Sequence, residues 1–575
     1  MSVWARTRRP ATIRVDYAES VAPADRGRAA GHSASANTML VHDNTGVVTL
    51  ENLKPDTLYS YSVSVDGGLA GPKGTFKTWP SADQTRNDKY NPEGLFNFRF
   101  EFACGNNQSR GINAARDHVR QPTFDTLLKD HADGLDFAIL NGDWLYEDKR
   151  DFSFDDWKQQ VGIDKAPQRL ELIPSIAGIW ENYKAYLERG TSLAEFHRRV
   201  PSFFTMDDHE SLNDVAGSGQ AGFKERRAVL RDPGAQAWLD YLAWSNPVDF
   251  PADIHFGRGT MKAGSGILTD TDANFAKLPF GNMSNLHVHW GGRRFGQKLR
   301  PADEYPGLPN AGVYDIADLV GPHQLRVSPL AETDATGVYS IGRRLYGQLQ
   351  VSNCHFFMLD TRGHRDSPDF SNPRRPDRSM LGKDQLQWLQ KGISESDAEF
   401  IFVVSSVNFM IPHSKPDSKP GDIPTKGEAW TVFMHERELL IDFLDELKKP
   451  VMLLTGDLHN SFAIQITDNV WEFASGPHES DNHHIGSEGH RPLNGPFKYG
   501  PRACDILWSS YLLPDTPKNL SRQPHFCVVQ VNNVTNNPVS KDRDRWIAFP
   551  RPQIVIQYYH GVTGELKFAH SISAK

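Results

Sequence analysis

The stretch that decides the fold of this chain is Asn141-Gly142-Asp143-Trp144-Leu145-Tyr146, which directly follows the apolar run Phe137–Leu140. A short apolar run that changes in one step to polar residues is typical of a buried parallel strand whose carboxyl end lies at a ligand site. Three further runs end in the same way: Phe98–Phe102 before Ala103-Cys104, Pro201–Met206 before Asp207-Asp208-His209-Glu210, and Val451–Thr455 before Gly456-Asp457-Leu458-His459. If the four strands are neighbours in one sheet, these side chains meet at one edge, and the sequence predicts a metal site there.

The composition is that of a globular protein: of 575 residues, 38% are hydrophobic and 23% charged, and the net charge is −8. The basic residues form no long run, so there is no nucleic-acid-binding signature. No apolar stretch is long enough for a transmembrane segment. The pair Arg8-Arg9 is not followed by an apolar segment, so we expect no signal peptide. We therefore expect a cytoplasmic protein as given, or a secreted or periplasmic one in trimmed, mature form; the oligomeric state is left open.

The organisation along the chain indicates two parts. Apolar and polar residues alternate in Tyr59–Val65, and Pro55 and Asp56 supply a turn before this strand, a pattern that resembles a fibronectin type III-like sandwich. From Phe98 onward strands alternate with helices, which favours a layered α/β fold. We expect an all-β N-terminal domain at 1–80, a linker at 81–97 and a catalytic domain at 98–575. Two Gly- and Pro-rich stretches, around 250–345 and 478–520, are interpreted as insertions at the rim of the site.

The residue types at the strand ends point to particular ions. A thiolate (Cys104) and a phenolate (Tyr146) favour a high-valent iron over magnesium, while carboxylates suit calcium. Asp143 can bridge two cations, and Asp457 and His459, two apart, face the same side of an extended loop. A strand-end Asp is also a common helix N-cap, and exposed acidic loops are common, so each motif alone has an ordinary structural explanation.

The order of motifs resembles a known family. FAC, NGDWLYED, MDDHE, LDTR, LG-x-x-Q-x-x-WL and LTGDLH, between Phe100 and Ser475, are similar to the alkaline phosphatase D (PhoD-like) branch of the calcineurin-like metallophosphoesterases. The wider superfamily has other residues at the positions of Cys104, Asp208 and Asp457, and these three are the substitutions typical of the PhoD-like branch. The resemblance implies a layered metallophosphoesterase fold with sheets flanked by helices. It also implies metal-dependent hydrolysis of small phosphate esters by attack of a metal-activated hydroxide on phosphorus.

The resemblance further implies a role for each residue. An Fe³⁺ ion is expected on Cys104, Asp143, Tyr146 and His459, and a Ca²⁺ ion on Asp143, Asp208 and Asp457, with Zn²⁺ or Mn²⁺ as the alternative. Asn213 is expected to add a neutral oxygen ligand, and His209 is the expected catalytic residue. Arg227, Arg231 and Arg362 are candidates for a phosphate clamp, although we expect Arg362 to pair with Asp360. Substrate-binding residues are otherwise not assigned.

Several alternatives stay open. Within enzymes these are a phosphomonoesterase, a phosphodiesterase and a phospholipase D-like activity on lipid head groups. A non-catalytic binding protein with a degenerate phosphatase domain predicts a missing ligand, yet every implied ligand position is filled. The C-terminal segments Gln553–Gln557 and Glu565–His570 are predicted to be strands, whereas some members of the family close the site with a C-terminal helix.

Overall fold

The computed structural model describes residues 1–20, 31–69, 71–108, 121–147, 153–289, 309–420, 422, 424, 426–513, 515–517, 520–536 and 545–575. Among the helices it describes, none is long and apolar enough to cross a bilayer.

The N-terminal segment forms two small antiparallel sheets. Strands β1 and β4 pair with each other, and the other four strands form a sheet in the order β3-β2-β5-β6. Alternate residues Ile13, Val15, Tyr59 and Phe76 are buried in a common core, as the alternation of the sequence predicts. The strands are β1 (Ser2–Arg6), β2 (Thr12–Glu19), β3 (His32–Asn37), β4 (Thr45–Thr49), β5 (Leu58–Val65) and β6 (Lys73–Lys77), and a short helix, α1 (Ala82–Thr85), follows.

A six-stranded mixed sheet combines three parallel strands on one side with three strands from the C-terminal part of the chain on the other. Its order is β26-β25-β24-β7-β8-β9, in which β7, β8 and β9 are parallel and end in register. The strands are β7 (Phe98–Ala103), β8 (Phe137–Asn141), β9 (Ser202–Thr205), β24 (His525–Asn536), β25 (Trp546–His560) and β26 (Leu566–Ser573). The helices along this half are α2 (Pro122–Asp130), α3 (Phe154–Val161), α4 (Gln168–Leu172), α5 (Ile176–Arg189), α6 (Thr191–Arg199), α7 (Arg226–Val229) and α8 (Arg231–Tyr241).

An eight-stranded sheet, with helices α9 (Gly382–Ser394) and α10 (Met434–Glu446), forms the other half. Its order is β16-β17-β18-β19-β21-β20-β23-β22, with β17, β18, β19 and β21 parallel. The strands are β16 (Gly347–Val351), β17 (Cys354–Met358), β18 (Phe400–Val404), β19 (Val451–Thr455), β20 (Phe462–Gln465), β21 (Val470–Ala474), β22 (Gly495–Tyr499) and β23 (Arg502–Ser509). The stretch 478–520, interpreted from sequence as a rim insertion, thus includes two strands of this sheet.

The other Gly- and Pro-rich stretch, around 250–345, contains a closed six-stranded barrel, β10-β11-β14-β13-β12-β15. Its core holds Leu286, Leu325 and Tyr339. Its strands are β10 (His255–Met261), β11 (Ile267–Thr269), β12 (Met283–Val288), β13 (Gly312–Gly321), β14 (Gln324–Ser328) and β15 (Ala335–Arg343).

The two large sheets pack face to face, with helices on their outer sides. The Phe100 ring on β7 meets Phe356 and Phe402 of the eight-stranded sheet, with ring centroids 5.4 and 5.5 Å apart. Burial of each such side chain stabilises the fold by about 1.5–3 kcal/mol. The expectation that all four metal-site strands share one sheet is wrong, because β19 lies in the sheet opposite β7, β8 and β9. Their polar ends nevertheless meet, because the layers stack with these ends together.

Candidate metal centre

Two glycines allow the polar ends of the two sheets to close on each other. Gly142, at φ 78°, lies so near β9 that a Cβ atom on it would be 2.6 Å from Asp207 Cβ. A Cβ atom on Gly456 would lie 2.7 Å from Cys104 Cβ and 3.0 Å from its Sγ. Real Cβ atoms do not approach so closely, so both positions require glycine. The loop after β19 is thereby placed directly against the thiol that follows β7.

The first group of predicted ligands lies around this contact. Tyr146 Oη donates a hydrogen bond to Asp143 Oδ2 (2.9 Å) and lies 2.5 Å from His459 Nε2. His459 Nε2 is 3.6 Å from Asp143 Oδ2. The other oxygen, Asp143 Oδ1, is buried and has no hydrogen-bond partner among the described residues. A buried carboxylate oxygen without a partner is costly, and a cation would satisfy it.

The raised pKa values of the acidic side chains in this group also indicate a site for a cation. Burial, followed by the charges of Asp143 and Asp457, raises the pKa of the Cys104 thiol well above its ordinary value. Burial, followed by Asp143 and Cys104, does the same to the pKa of the Tyr146 phenol. A thiol, a phenol and a carboxyl cannot all ionise in one buried site unless a positive ion compensates them. The donors present therefore fit a bound metal cation better than a hydrogen-bond network without one.

His459 is held in the tautomer that a metal ligand needs. Its Nδ1–H donates to the carbonyl oxygen of Asp481 (2.8 Å), which leaves Nε2 facing Tyr146 and Asp143. Such a bond from the outer nitrogen commonly fixes the ring of a metal-binding histidine. The backbone at Asp143, Asp457 and His459 is left-handed, with φ of 54°, 64° and 53°. Strained conformations of this kind cluster at functional sites.

A second group of side chains surrounds Asp208 and Asp457. One ligand atom from each of Asp143, Asp208 and His209 lies within 4.8 Å of the other two, and so do those of His413, Glu428 and Asp457. His413 Nδ1 is 2.7 Å from Glu428 Oε2 and 3.1 Å from Asp457 Oδ2. Sequence reasoning missed His413 and Glu428, which lie in the long connection after β18. The sequence did contain one indication of them: β18 is itself a buried apolar run, so the connection that follows its carboxyl end is expected to face the site.

Asn213 is the predicted ligand that the structure does not bring into the cluster. Its side chain is exposed, and its amide Nδ2 donates to Asp214 Oδ2 (2.8 Å). Its backbone N–H donates to Glu147 Oε1 (2.8 Å), so the residue supports the loop after β9 from outside. Asp214, its neighbour, instead lies beside Asp208 and Glu428.

His209 is paired with Glu147, whose Oε2 contacts the imidazole Nδ1, and its ring packs against Tyr146 with centroids 4.0 Å apart and planes tilted by 38°. Burial lowers the pKa of His209, but Glu147, Asp208 and Asp143 outweigh it and raise that pKa well above its ordinary value. These three carboxylates therefore favour the protonated form of the ring.

The arginine at the site is Arg362, and its partner differs from the prediction. Its Nε donates to Asp207 Oδ1 (2.5 Å), and Nη2 lies 3.8 Å from Asp208 and 3.9 Å from Asp457. The guanidinium that pairs with Asp360 belongs to Arg231 (2.7 Å), so the predicted Arg362–Asp360 ion pair is wrong. Arg227, the remaining candidate, is partly exposed and bonds to Glu225 and the carbonyl of Asn213.

Glu210 fixes the backbone of the two loops that carry Asp143 and Asp208. Its carboxylate, fully buried, accepts hydrogen bonds from the backbone N–H groups of Asp143 (3.2 Å), Trp144 (2.6 Å) and Asp207 (2.8 Å). One side chain thus ties the end of β8 to the end of β9. Sequence reasoning placed Glu210 in the acidic run without assigning it a role.

The comparisons with known proteins agree with this arrangement. A family model described as PhoD-like phosphatase matches residues 100–289 and 328–494, and a domain of unknown function, DUF7800, matches residues 1–84. Alkaline phosphatase D from Bacillus subtilis (strain 168) is 30% identical over 130 residues, which are 21% of this chain and only 22% of that protein.

Among solved structures, one titled "Structure of PhoD" aligns over 100% of this chain and 90% of its own, with 16% identity and a TM-score of 0.55, which shows a shared fold. A purple acid phosphatase from yellow lupin seeds aligns over 98% of this chain and 69% of its own at 10% identity, but its TM-score of 0.45 is too low to carry weight. The matched residues of the family model cover well over half of the chain and include each of Cys104, Asp143, Tyr146, Asp208, Asp457 and His459. The chain belongs to the PhoD-like phosphatase family.

Proposed function

We propose that this protein hydrolyses phosphate esters at a centre of two cations between the ends of its two large sheets. The observation that carries the proposal is the group of Asp143, Tyr146 and His459, in which Asp143 Oδ1 is buried without a partner among the described residues. The buried thiol of Cys104 lies near enough for the charge of Asp143 to raise its pKa. Asp143 lies between this group and Asp208, as a bridging carboxylate should. Membership of a phosphatase family supports the reaction class.

For the ions we propose Fe³⁺ on Cys104, Asp143, Tyr146 and His459, and Ca²⁺ on Asp143, Asp208 and Asp457. Thiolate, phenolate and imidazole suit the first ion and carboxylate oxygens the second, whereas Zn²⁺ or Mn²⁺ is the alternative pair. Bound cations in such centres polarise phosphoryl oxygens and lower the pKa of a coordinated water. Asn213 is not part of this proposal, because its side chain points to Asp214.

His209 is the proposed catalytic acid. Glu147 holds its Nδ1, and this carboxylate, together with Asp208, raises the pKa of the ring and favours its protonated form. A cationic imidazole beside the bridging carboxylate can give that proton to the departing ester oxygen. Arg362 stays bound to Asp207, so its role is to balance the carboxylates Asp208 and Asp457 rather than to clamp phosphate.

We also propose that residues 1–80 form a fibronectin type III-like domain, joined through a linker at 81–97 to a catalytic domain at 98–575. The two small antiparallel sheets before Pro80 and their shared core support this division. The barrel within 250–345 belongs to the catalytic part in this scheme.

Elemental analysis of the protein purified without chelator, combined with turnover of p-nitrophenyl phosphate and bis(p-nitrophenyl) phosphate, tests the proposal. Iron with calcium and hydrolysis of either ester is the expected result, and the preferred ester separates a monoesterase from a diesterase. A phosphatidylcholine substrate in the same assay tests the phospholipase D-like alternative. Zinc or manganese would overturn the assignment of the ions, and absence of both metal and turnover would favour a binding protein.

A further inference from the structure

The loop after β21 crosses the candidate centre and is fixed to both sheets. The Glu479 N–H donates to the carbonyl of Gly105 (2.9 Å), just beyond β7. The Asp481 carbonyl accepts from His459, and Asn460 Nδ2 donates to the carbonyl of His483 (2.9 Å), both just beyond β19. The position of His483 is thus set by backbone contacts on each side, independently of its own side chain.

The imidazole of His483 lies between the two groups of ligands. Its ring centroid is 4.8 Å from that of His459 and 4.8 Å from that of His413. His459 belongs to the group around Cys104, whereas His413 belongs to the group around Asp457. His413 and His459 are only 2% and 8% exposed, whereas His483 is half-buried and is thus the more exposed of the three rings.

The ring has unused hydrogen-bonding capacity. Nδ1 of His483 is buried and has no hydrogen-bond partner within the part of the chain that the structure describes. Nor does His483 contribute to any of the groups whose ligand atoms lie within 4.8 Å of one another, among those same residues. Buried polar atoms are nearly always paired, so an imidazole with an unpaired nitrogen is unusual for a ring that serves only as packing.

We propose that His483 is a substrate-binding residue, whose imidazole N–H donates a hydrogen bond to a non-bridging phosphoryl oxygen of an ester bound across both cation positions. The inference rests on the proposed function and names a side chain that recognises the phosphoryl group. Its position beside both groups suits an oxygen that faces both cations. A ring that served only as packing between His413 and His459 would have no such preference for a phosphoryl anion.

The test compares the metal-loaded wild type with His483→Ala, His483→Gln and His484→Ala. His484 is the matched control, because it is the adjacent histidine and makes no ring contact with His413 or His459 in the described residues. Three quantities are measured for each: kcat and KM with p-nitrophenyl phosphate, the dissociation constant of inorganic phosphate by isothermal titration, and iron content.

For His483→Ala we expect a loss of about 10–100-fold in kcat/KM and a similar weakening of phosphate binding, the typical effect of one hydrogen bond to a charged group. Iron content and melting temperature should stay at the wild-type level. His483→Gln, which keeps an N–H donor, should recover part of the loss, and His484→Ala should behave as wild type.

Unchanged phosphate binding in His483→Ala would overturn the inference, as would loss of iron, which would make the residue a ligand or a structural support. If the wild type hydrolyses neither ester, the proposed function fails. The titration with inorganic phosphate still decides whether His483 recognises the anion, so the two failures are distinguishable.

Discussion

The ends of the two large sheets contribute to the centre in different ways. In the proposed assignment, the six-stranded sheet supplies ligands from three strands, Cys104 after β7, Asp143 after β8 and Asp208 after β9, whereas the eight-stranded sheet supplies Asp457 and His459 from the single loop after β19. Each side also has a buried glutamate that accepts backbone N–H groups. Glu210 binds the loops of Asp143 and Asp207, but Glu472 binds Phe409 and Met410 (2.8 and 2.9 Å) and the hydroxyl of Thr455 (3.0 Å).

This difference shows that the two sheets fix the positions of their ligands in different ways. A ligand set drawn from three strands must be held together by something that spans them, and Glu210 does so directly on the backbone of a ligand. A ligand set within one loop needs no such bridge, because the chain itself fixes the spacing. Both glutamates accept hydrogen bonds from backbone N–H groups. Glu210 thereby supports the proposed ligands of the six-stranded sheet, whereas Glu472 supports the packing of the eight-stranded sheet.

The largest effect is expected for Asp143→Asn, which alters the one residue shared by both ligand groups. Hydrolysis should fall to the uncatalysed background and metal content should drop, because an amide oxygen cannot bridge two cations as a carboxylate does. Elemental analysis and turnover of p-nitrophenyl phosphate measure this. Wild-type turnover would remove Asp143 from the bridge. Circular dichroism should show that the variant remains folded.

Cys104→Ala tests the six-stranded side alone. The variant should lose iron before calcium, because the thiolate belongs to only one of the two proposed ions. Cys354→Ala is the matched control, since Cys354 is also buried but lies at the amino end of β17, away from the carboxyl ends of the strands. Atomic absorption after graded chelation gives the order of loss. Equal retention of iron by the two variants would contradict the assignment of Cys104.

Comparing the variants Glu210→Gln and Glu472→Gln tests whether the two buried glutamates have different roles. Both variants lose charge-assisted hydrogen bonds worth about 1.5–3 kcal/mol each, so both should lower the melting temperature. Only Glu210→Gln should also weaken metal binding, by about 10–100-fold, the usual cost of removing a residue that orients ligands. Metal titration by calorimetry separates the two. Equal metal affinities would show that Glu210 does not position Asp143.

Acid stability on the six-stranded side should also change through a residue outside the candidate centre. Trp144 Nε1 donates to His197 Nε2 (3.1 Å), and burial lowers the pKa of His197 to about 3. Between pH 6.5 and 3 the unfolded chain therefore binds a proton that the folded chain does not. The free energy of unfolding thus decreases as the pH is lowered, by up to about 1.4 kcal/mol per pH unit. Urea unfolding of His197→Gln should show a shallower fall than wild type over this range. Parallel curves would contradict the shift.

Much of this architecture could be predicted from local pattern. The apolar runs and the polar residues after them identified the strands β7, β8, β9 and β19, because burial on both faces leaves a continuous signature. The assignment of β19 to a second sheet could not be predicted, since strand pairing is decided by contacts between distant segments. The barrel was missed for a related reason: its short strands lie among Gly and Pro, and closure, rather than any one strand's pattern, defines it.

The same limit applies within the centre. Cys104, Asp143, Tyr146, Asp208, Asp457 and His459 all follow predicted strands, and the structure brings them together. His413 and Glu428 lie far beyond the end of β18, so only the folded chain shows that they approach Asp457. Arg362 was assigned the nearest carboxylate in sequence, whereas its partner Asp207 is 155 positions away. Ion pairs of this kind carry no local signal.

The left-handed backbone at Asp143, Asp457 and His459 has a consequence for how such a centre can evolve. Apart from glycine, Asp, Asn and His are the residues most often found in that conformation. Only a few residue types therefore fit these backbone positions easily, and two of them, Asp and His, are also good metal ligands. A drift to Glu or Cys at these positions would have to overcome backbone strain as well as a change of ligand. Exchange of the bound metal by stepwise substitution is thus restricted by the shape of the chain.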